Sequence, residues 1–243
     1  MRLPRHVTSV SLSAEPAAQA LARDEALLDA ADAGQAMVSR WYIAQTRAVV
    51  LGLGLWRRRF EIVDEERCRQ AGVEVLERRA GGGALLLDDN MLCAAVCVRL
   101  PDERAGADLT ESYRWLGDRL TNGLHTLGVR AARRVEIAEA RMDTADLKTR
   151  ADPLLNTCFG CLSPHEVVID GRKLIGLAQV RRRHAALFQI GILLRDQAPL
   201  ARLLRHPELA PELRRRTVGV ADLLPEPLDV TAIAGTLEHA LRA

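Results

Sequence analysis

The sequence has no long apolar run. Its longest, at residues 84–87 and 91–98, are far shorter than the roughly 20 residues that a membrane-spanning helix needs. Residues 1–13 contain two arginines but no continuous apolar block before a small-residue cleavage site, which a secretory signal would require. We therefore expect a cytoplasmic protein with no membrane segment.

The chain also lacks an excess of charge of either sign. Its 34 basic side chains are balanced by 32 acidic ones, so the formal net charge is +2. Such a balance is not typical of nucleic-acid-binding proteins, and no nucleic-acid partner is expected. With 243 residues, 48% of them hydrophobic, the chain can fill a core, and no repeat, low-complexity tract or linker divides it. We predict one α/β domain over residues 1–243, with a helical C-terminal tail at about 199–243.

The cysteine content does not fit a disulfide scaffold. Five cysteines, an odd number in a chain of this length, indicate free thiols in a reducing compartment. Cys158 and Cys161 form a C-x-x-C pair, which is typical of a zinc half-site or a redox pair. No second pair follows at zinc spacing, and Cys93 and Cys97 lie in an apolar run that we expect in the core. We therefore predict no metal site, and for Cys161 a structural role.

Two common nucleotide-binding motifs are absent. Neither G-x-x-x-x-G-K-[ST] nor G-x-G-x-x-G occurs. The chain has instead two arginines, Arg78 and Arg79, shortly before the three glycines Gly81, Gly82 and Gly83. Glycine backbone can approach a ligand closely and point several N–H groups at an anion. From these residues alone, a ligand-binding loop and a flexible hairpin tip remain two open interpretations.

Lysine is almost absent as well. Only Lys148 and Lys173 are lysine among the 34 basic residues. Lys148 lies in a polar stretch and is expected on the surface. Lys173 follows an Asp-Gly turn on a predicted strand, where Gly176 and Ala178 leave room for a ligand along the backbone. Its compact ammonium group either faces a pocket or lies on an exposed edge strand.

Hydrophobic periodicity predicts helices and strands in mixed order. The predicted helices cover residues 14–38, 64–71 and 111–127. The predicted strands cover residues 41–43, 48–53, 73–76, 135–140 and 185–194, a hairpin of 166–169 with 173–175, and an apolar run from 84 to 100. Residues 141–156 are polar and predicted to form a loop.

In this order, the segments resemble those of one superfamily, the lipoate-protein ligases, octanoyltransferases and biotin-protein ligases. Residues 78–84 (RRAGGGA) are similar to the lipoate-ligase signature R-R-x-[ST]-G-G-G-[AT]. Residues 171–179 (GRKLIGLAQ) are similar to the stretch G-[RK]-K-[IV]-x-G-[SN]-A-Q, which carries the family's active-site lysine. Weaker similarities to the opening helix, the first strands and the closing motif lie at residues 24–28, 40–42, 49–52, 216–218 and 223–224.

The resemblance implies a mixed β-sheet flanked by helices, like the catalytic domain of class II aminoacyl-tRNA synthetases, and chemistry on a lipoyl or octanoyl chain. In the ligases, ATP with Mg²⁺ activates lipoate or octanoate as an acyl-adenylate. A lysine of a lipoyl carrier protein then attacks this mixed anhydride. In the transferases, an acyl group passes from one carrier to an enzyme cysteine and then to the next carrier.

The resemblance also assigns roles to residues. Lys173 would hold the phosphate and acyl carbonyl of the adenylate. The acyl and adenylate groups would be bound by Arg78, Arg79, Gly81, Gly82, Gly83, Gly176, Ala178 and Gln179. Residues 158–166 (CFGCLSPHE) resemble C-F-x-x-P-S-x-x-E of one transferase branch, in which the cysteine is the nucleophile. A reactive Cys158 thiolate would need a nearby positive charge such as Lys173.

Three segments depart from the family patterns. Leu177 stands where serine or asparagine is usual, residues 188–191 (FQIG) replace a histidine-containing [QH]-H-G stretch, and residues 87–90 lack a histidine after the glycine loop. The glycine loop favours an ATP-dependent lipoate-protein ligase as the main interpretation. The alternatives are a transferase that forms a Cys158 thioester and a non-catalytic acyl-binding relative.

Overall fold

The computed structural model of the chain describes residues 10–32, 37–106, 108–225 and 227–243. The strands of this part are β1 (Leu12–Glu15), β2 (Met37–Ala44), β3 (Ala48–Gly52), β4 (Glu74–Arg78), β5 (Leu85–Leu87), β6 (Met91–Arg99), β7 (Ala132–Arg134), β8 (Val167–Ile169), β9 (Arg172–Arg181) and β10 (Ala185–Leu193). The helices are α1 (Ala17–Asp32), α2 (Leu53–Trp56), α3 (Arg59–Ile62), α4 (Glu65–Gln70), α5 (Leu109–Thr126), α6 (Ile137–Thr149), α7 (Ala210–Arg216) and α8 (Val230–Arg242). Short 3₁₀ turns lie at Glu103–Ala105, Pro153–Asn156, Ala198–Leu203, Pro207–Leu209 and Val220–Asp222.

The described strands form two mixed sheets. The larger has seven strands in the order β1-β2-β6-β10-β9-β8-β7, and the smaller has three in the order β4-β3-β5. The pairs β1 with β2 and β3 with β4 are parallel, and the other pairs are antiparallel. The central strands β6 and β10 are buried along nearly their whole length, which explains their continuous apolar sequence.

Helices cover both faces of the seven-stranded sheet. Leu187 and Cys97 are paired on β10 and β6, and both pack against α1 through Leu28. Phe188 is the next residue along β10, so its side chain points to the opposite face. There it meets Tyr113 and Trp115 of α5 edge-on, at ring-centroid distances of 6.2 and 6.3 Å. The predicted fold class, a mixed sheet flanked by helices, is confirmed.

The segment predicted as a helical tail contributes to this core. Helix α8 packs against α5, where Gly123 leaves room for Leu237: a Cβ at position 123 would lie 2.7 Å from the Leu237 side chain. Ile233, Leu237 and Leu241 are buried in the same cluster as the central strands. The last helix therefore closes one face of the large sheet.

Three predicted elements were wrong. The helix predicted over residues 14–38 is shorter, because residues 12–15 form β1 beside β2 and β2 already begins at Met37. The strand at 135–140 and the loop at 141–156 are replaced by α6, whose apolar residues do not gather on one face and so give no helical period. Residues 33–36, part of the first prediction, lie outside the described residues, as do residues 1–9.

The hairpin at Asp170 and Gly171 is confirmed. Both residues have positive φ, at 50° and 75°, as a two-residue hairpin turn requires. Beyond the turn, Val168 pairs with Lys173 and Val167 with Ile175, so β9 contains one extra residue opposite β8. This bulge reverses the alternation of β9 and turns Lys173 to the face that carries Gly176.

No helix in the described ranges has the length and apolar character that crossing a membrane requires.

Candidate active site

A narrow pocket lies between the two sheets, with about 430 Å³ of open space when the solvent at its mouth is included. Most of its wall is apolar. The small sheet and the adjoining strand contribute Val50, Leu85, Leu87 and Met91, and helix α1 contributes Leu21. Such a lining suits an alkyl chain, because burying methylene groups removes apolar surface from water.

Two glycines of the large sheet line this pocket and leave room for the Phe159 ring. Gly176 on β9 pairs with Gly191 on β10, and the Phe159 ring lies over both. A Cβ at Gly176 would lie only 3.0 Å from Cζ of Phe159. Ala178, one further position along the same face of β9, also lines the pocket. The structure thus places Gly176 and Ala178 where a ligand could lie along the strand.

Lys173 is fully buried beside the pocket, with 1% of its surface exposed. Its Nζ donates hydrogen bonds to the carbonyl oxygens of Cys158 (2.6 Å) and Cys161 (3.2 Å) and pairs with the Glu166 carboxylate at 2.6 Å. Burial has the largest single effect and lowers the pKa of Lys173, but the Glu166 carboxylate and smaller contributions from neighbouring groups together raise it above its usual value. The ammonium group therefore holds the segment that carries Cys158. The alternative of an exposed edge-strand lysine is wrong.

Glu166 is held as firmly as its partner. Its Oε1 accepts a hydrogen bond from the Leu177 amide at 3.1 Å, and its Oε2 accepts one from the Ser163 amide at 2.8 Å. These bonds join β9 to the segment after Cys158. The pair of Lys173 and Glu166 thus fixes one end of the pocket.

Cys158 lies at the pocket wall with its thiol next to a guanidinium group. Its Sγ is 3.8 Å from Nη2 of Arg78, which also donates to the Gly81 carbonyl at 2.9 Å. Arg78 is 94% buried, and its Nε has no hydrogen-bond partner among the described residues. A buried N–H without a partner is costly unless a ligand accepts from it. Arg78 therefore retains a donor for an oxygen atom bound in the pocket.

Two of the three glycines, Gly82 and Gly83, lie close to the Cys158 segment. A Cβ at Gly82 would lie 4.0 Å from Cys158 Sγ, and Gly82 has a φ of 109°, which favours glycine. A Cβ at Gly83 would lie 2.5 Å from the Thr157 carbonyl carbon and 2.7 Å from the Cys158 amide nitrogen. Close approach of two backbones explains Gly83, and the positive φ explains Gly82. The loop joins β4 to β5, which are not neighbours in the small sheet, so the hairpin-tip interpretation is wrong.

Gly83→Ala should push the backbone at residue 83 away from the backbone of Thr157 and Cys158. We expect it to lower the free energy of unfolding by about 1–3 kcal/mol, the usual cost of overpacking, because neither backbone can yield as a flexible side chain would. Gly81→Ala is the matched control, since a Cβ at Gly81 meets nothing within 4 Å. Urea unfolding of both variants measures the difference; equal stabilities would contradict the packing described here.

A polar cluster borders the pocket at another part of its wall. Gln189 and Tyr42 line the pocket, and both donate hydrogen bonds to Oδ2 of the buried Asp24 on α1, at 2.9 and 3.0 Å. Arg40 donates to Oδ1 of the same carboxylate at 2.5 Å. The Oε1 atom of Gln189 is buried without a partner among the described residues. The cluster fixes α1 against the sheet and places polar atoms beside the apolar wall.

The structure does not bring every predicted site residue to the pocket. Arg79 pairs with Glu25 at 2.9 Å and is more than half exposed. Gln179 lies on the opposite face of the sheet, where its Nε2 donates to Ser112 Oγ of α5 at 3.0 Å. The expectation that these two bind the acyl group or adenylate is therefore corrected. Single-residue alternation along β9 could have shown that Gln179 and Ala178 face opposite sides.

Four residues of the site were missed by sequence reasoning: Tyr42, Phe159, Glu166 and Gln189. Glu166 lay within the segment compared with the transferase branch, so its match in that pattern was a usable signal. Phe159 lay in the same segment, as the second residue of that pattern. Tyr42 and Gln189 lie on β2 and β10, which only the sheet order brings together.

Comparison with known proteins agrees with this fold. The model of the family "Lipoyl protein ligase A/B catalytic domain" matches residues 16–242. The octanoyltransferase LipM of Carboxydothermus hydrogenoformans is 34% identical over 201 residues, which cover 82% of this chain and 69% of that protein. The octanoyltransferase LipM of Geobacillus kaustophilus is 29% identical over 236 residues, which cover 94% and 80%.

A solved structure shows the same fold. The bipartite lipoate protein ligase of Thermoplasma acidophilum, described together with its E2 lipoyl domain, superposes with a TM-score of 0.73 at 24% identity. The match covers 97% of this chain and 82% of that one. From the family match and the sequence identity, this chain belongs to the lipoyl protein ligase A/B catalytic domain family.

Proposed function

We propose that this protein transfers an octanoyl or lipoyl group from one carrier to the lysine of a lipoyl carrier domain through a thioester on Cys158. The observation that carries the proposal is the Cys158 thiol at the wall of an apolar pocket, 3.8 Å from a buried guanidinium group. The similarity to proteins named octanoyltransferase LipM supports the same reaction.

In the first step, the Cys158 thiolate attacks the acyl carbonyl carbon of a carrier thioester. The bond to the carrier sulfur breaks, and the carrier leaves as a thiol. The positive charge of Arg78 stabilises the attacking thiolate, because opposite charges attract strongly where water is excluded. The unpartnered Nε–H of Arg78 is suited to stabilise the negative charge that grows on the acyl oxygen.

In the second step, the amine of the acceptor lysine attacks the Cys158 thioester. An amide forms, the carbon–sulfur bond breaks, and the Cys158 thiol is released. The alkyl chain stays between the sheets meanwhile, against the apolar wall that includes Val50, Leu85 and Met91. Lys173 holds the carbonyl of Cys158, so the reacting sulfur keeps its position through both steps.

An ATP-dependent ligase, the interpretation favoured from the sequence, would use Lys173 in a different role. There its ammonium group would hold the phosphate and carbonyl of an acyl-adenylate. The Lys173 N–H groups are instead engaged by Glu166 and two backbone carbonyls, and Arg79 is paired with Glu25. These residues do not fit a triphosphate without rearrangement. The contacts therefore favour the transferase over the ligase, and no step is assigned to ATP or Mg²⁺.

Intact mass spectrometry tests the proposal. The protein is incubated with the octanoyl thioester of an acyl carrier protein, without ATP, and we expect a mass increase of one octanoyl group that peptide mapping places on Cys158. Addition of a lipoyl domain should remove this adduct and octanoylate the domain.

A second incubation separates the other interpretations. If free octanoate with ATP and Mg²⁺ modifies the lipoyl domain while the thioester donor gives no adduct, the protein is a ligase. If neither donor gives turnover although octanoate binds, it is a non-catalytic acyl-binding relative. Either outcome overturns the proposed transferase.

A further inference from the structure

The proposed transfer uses Cys158 and leaves the neighbouring Cys161 without a role. The two cysteines are three residues apart and span a turn at residues 158–160, and both are partly exposed. Residues three apart across a tight turn have Cα atoms within roughly 7 Å. Disulfides need Cα atoms about 4.4–6.8 Å apart, so a turn of this kind can accept one.

Lys173 contacts the backbone of both cysteines and holds them close together. Lys173 Nζ donates to the carbonyl oxygens of both, which ties the two ends of the turn to one atom. Gly160 keeps the turn tight, because a Cβ there would lie 2.0 Å from Thr157 Oγ1.

We propose that Cys158 and Cys161 are an oxidative modification site, at which a hydroperoxide converts the two thiols into a reversible disulfide. The consequence for activity rests on the proposed function, because the disulfide would mask the nucleophile. The disulfide itself requires only the two thiols and the turn between them.

The reaction balances with a hydroperoxide as oxidant. The Cys158 thiolate attacks one peroxide oxygen, the O–O bond breaks, and Cys158 becomes a sulfenic acid while water or an alcohol leaves. The Cys161 sulfur then attacks the sulfenic sulfur, the S–S bond forms and a second water leaves. Both thiols lose their hydrogen atoms, and the peroxide is reduced. A dithiol reductant reverses the change by thiol–disulfide exchange.

The surroundings set the order of these steps. Burial raises the pKa of Cys161 to about 11, so this thiol stays protonated at neutral pH and is a poor first target. Cys158 has the guanidinium of Arg78 beside its sulfur and opens on the pocket. Cys158 therefore reacts with the oxidant first, and Cys161 then attacks the resulting sulfenic acid to form the disulfide.

Peptide mapping of the whole protein under non-reducing conditions tests the inference. After treatment with hydrogen peroxide, we expect the peptide with both cysteines to lose two hydrogen atoms and to resist alkylation until dithiothreitol is added. In Cys161→Ser, which keeps a donor for the Thr157 carbonyl, peroxide should carry Cys158 to sulfinic and sulfonic acids. Dithiothreitol should restore transfer activity to the wild type and not to this variant.

Two results would overturn the inference: free alkylation of both thiols after peroxide, or a disulfide that joins Cys158 to a different cysteine. The mapping needs no turnover and so is independent of the proposed reaction. If the disulfide forms while Cys158→Ala still transfers octanoyl groups, the modification site stands and the proposed function fails.

Discussion

Cys158→Ala should reduce octanoyl transfer to a lipoyl domain by at least about 10³-fold, because loss of a catalytic nucleophile leaves only binding and electrostatic contributions. The thiol lies at the pocket wall, where it can accept an acyl chain from a carrier thioester. Its removal leaves the pocket and the Lys173 contact with the Cys158 carbonyl in place, since the latter involves only backbone. Steady-state rates with the octanoyl thioester donor measure the loss.

Cys161→Ala is the matched control for this prediction. It removes a thiol three residues away, and the Cys161 carbonyl that accepts from Lys173 remains. We expect its transfer rate to stay within about threefold of wild type, because the change is conservative and does not alter the pocket lining. Equal losses in both variants would indicate that the segment is structural and that Cys158 is not the nucleophile.

The charge beside Cys158 shows how far sequence reasoning reached. The sequence indicated that a reactive thiolate needs a nearby cation and suggested Lys173. In the structure, Lys173 binds the carbonyl of Cys158, and the guanidinium of Arg78 lies beside its sulfur. The local sequence identifies which residues carry charge. It does not show whether a charged side chain lies beside the backbone carbonyl of Cys158 or beside its thiol, because this depends on how distant strands pair.

The bulge in β9 is a second feature that depends on strand pairing and could not be predicted from the local sequence. Strict alternation from Gly176 would place Lys173 on the other face of the sheet, away from the pocket. One extra residue opposite Val167 and Val168 reverses this orientation. Nothing in residues 171–179 alone requires the bulge, since it arises from pairing with β8.

The fold was predictable where local signals were strong. The Asp170-Gly171 turn, the buried strands and α5 carry their own turn chemistry or periodicity. Helix α6 was missed because its apolar residues do not form a stripe, and β1 was missed because its strand character depends on pairing with β2. The polar cluster around Asp24 was also not predicted from the sequence, because its members come from α1, β2 and β10.

Lys173→Met should be the most damaging change to stability among those considered. It leaves the Glu166 carboxylate buried without its partner, and breaking a buried ion pair in this way costs about 3–5 kcal/mol of unfolding free energy. It also frees the carbonyls of Cys158 and Cys161, so octanoyl transfer should fall even where the protein remains folded. Lys148→Met is the matched control, since that lysine is exposed on α6 and should change stability by less than about 0.5 kcal/mol.

Two further variants separate the charge of Lys173 from its contribution to folding. Lys173→Met combined with Glu166→Gln removes both charges and keeps an amide oxygen to accept from Leu177, so urea unfolding should recover much of the lost stability. Transfer activity should not recover, because no ammonium group holds the Cys158 carbonyl. Lys173→Arg keeps the charge but places a broad planar fork where three oxygens surround one nitrogen at 2.6–3.2 Å, so it should also fail. If Lys173→Arg were as active and stable as wild type, the compact geometry around Nζ would not be what positions Cys158.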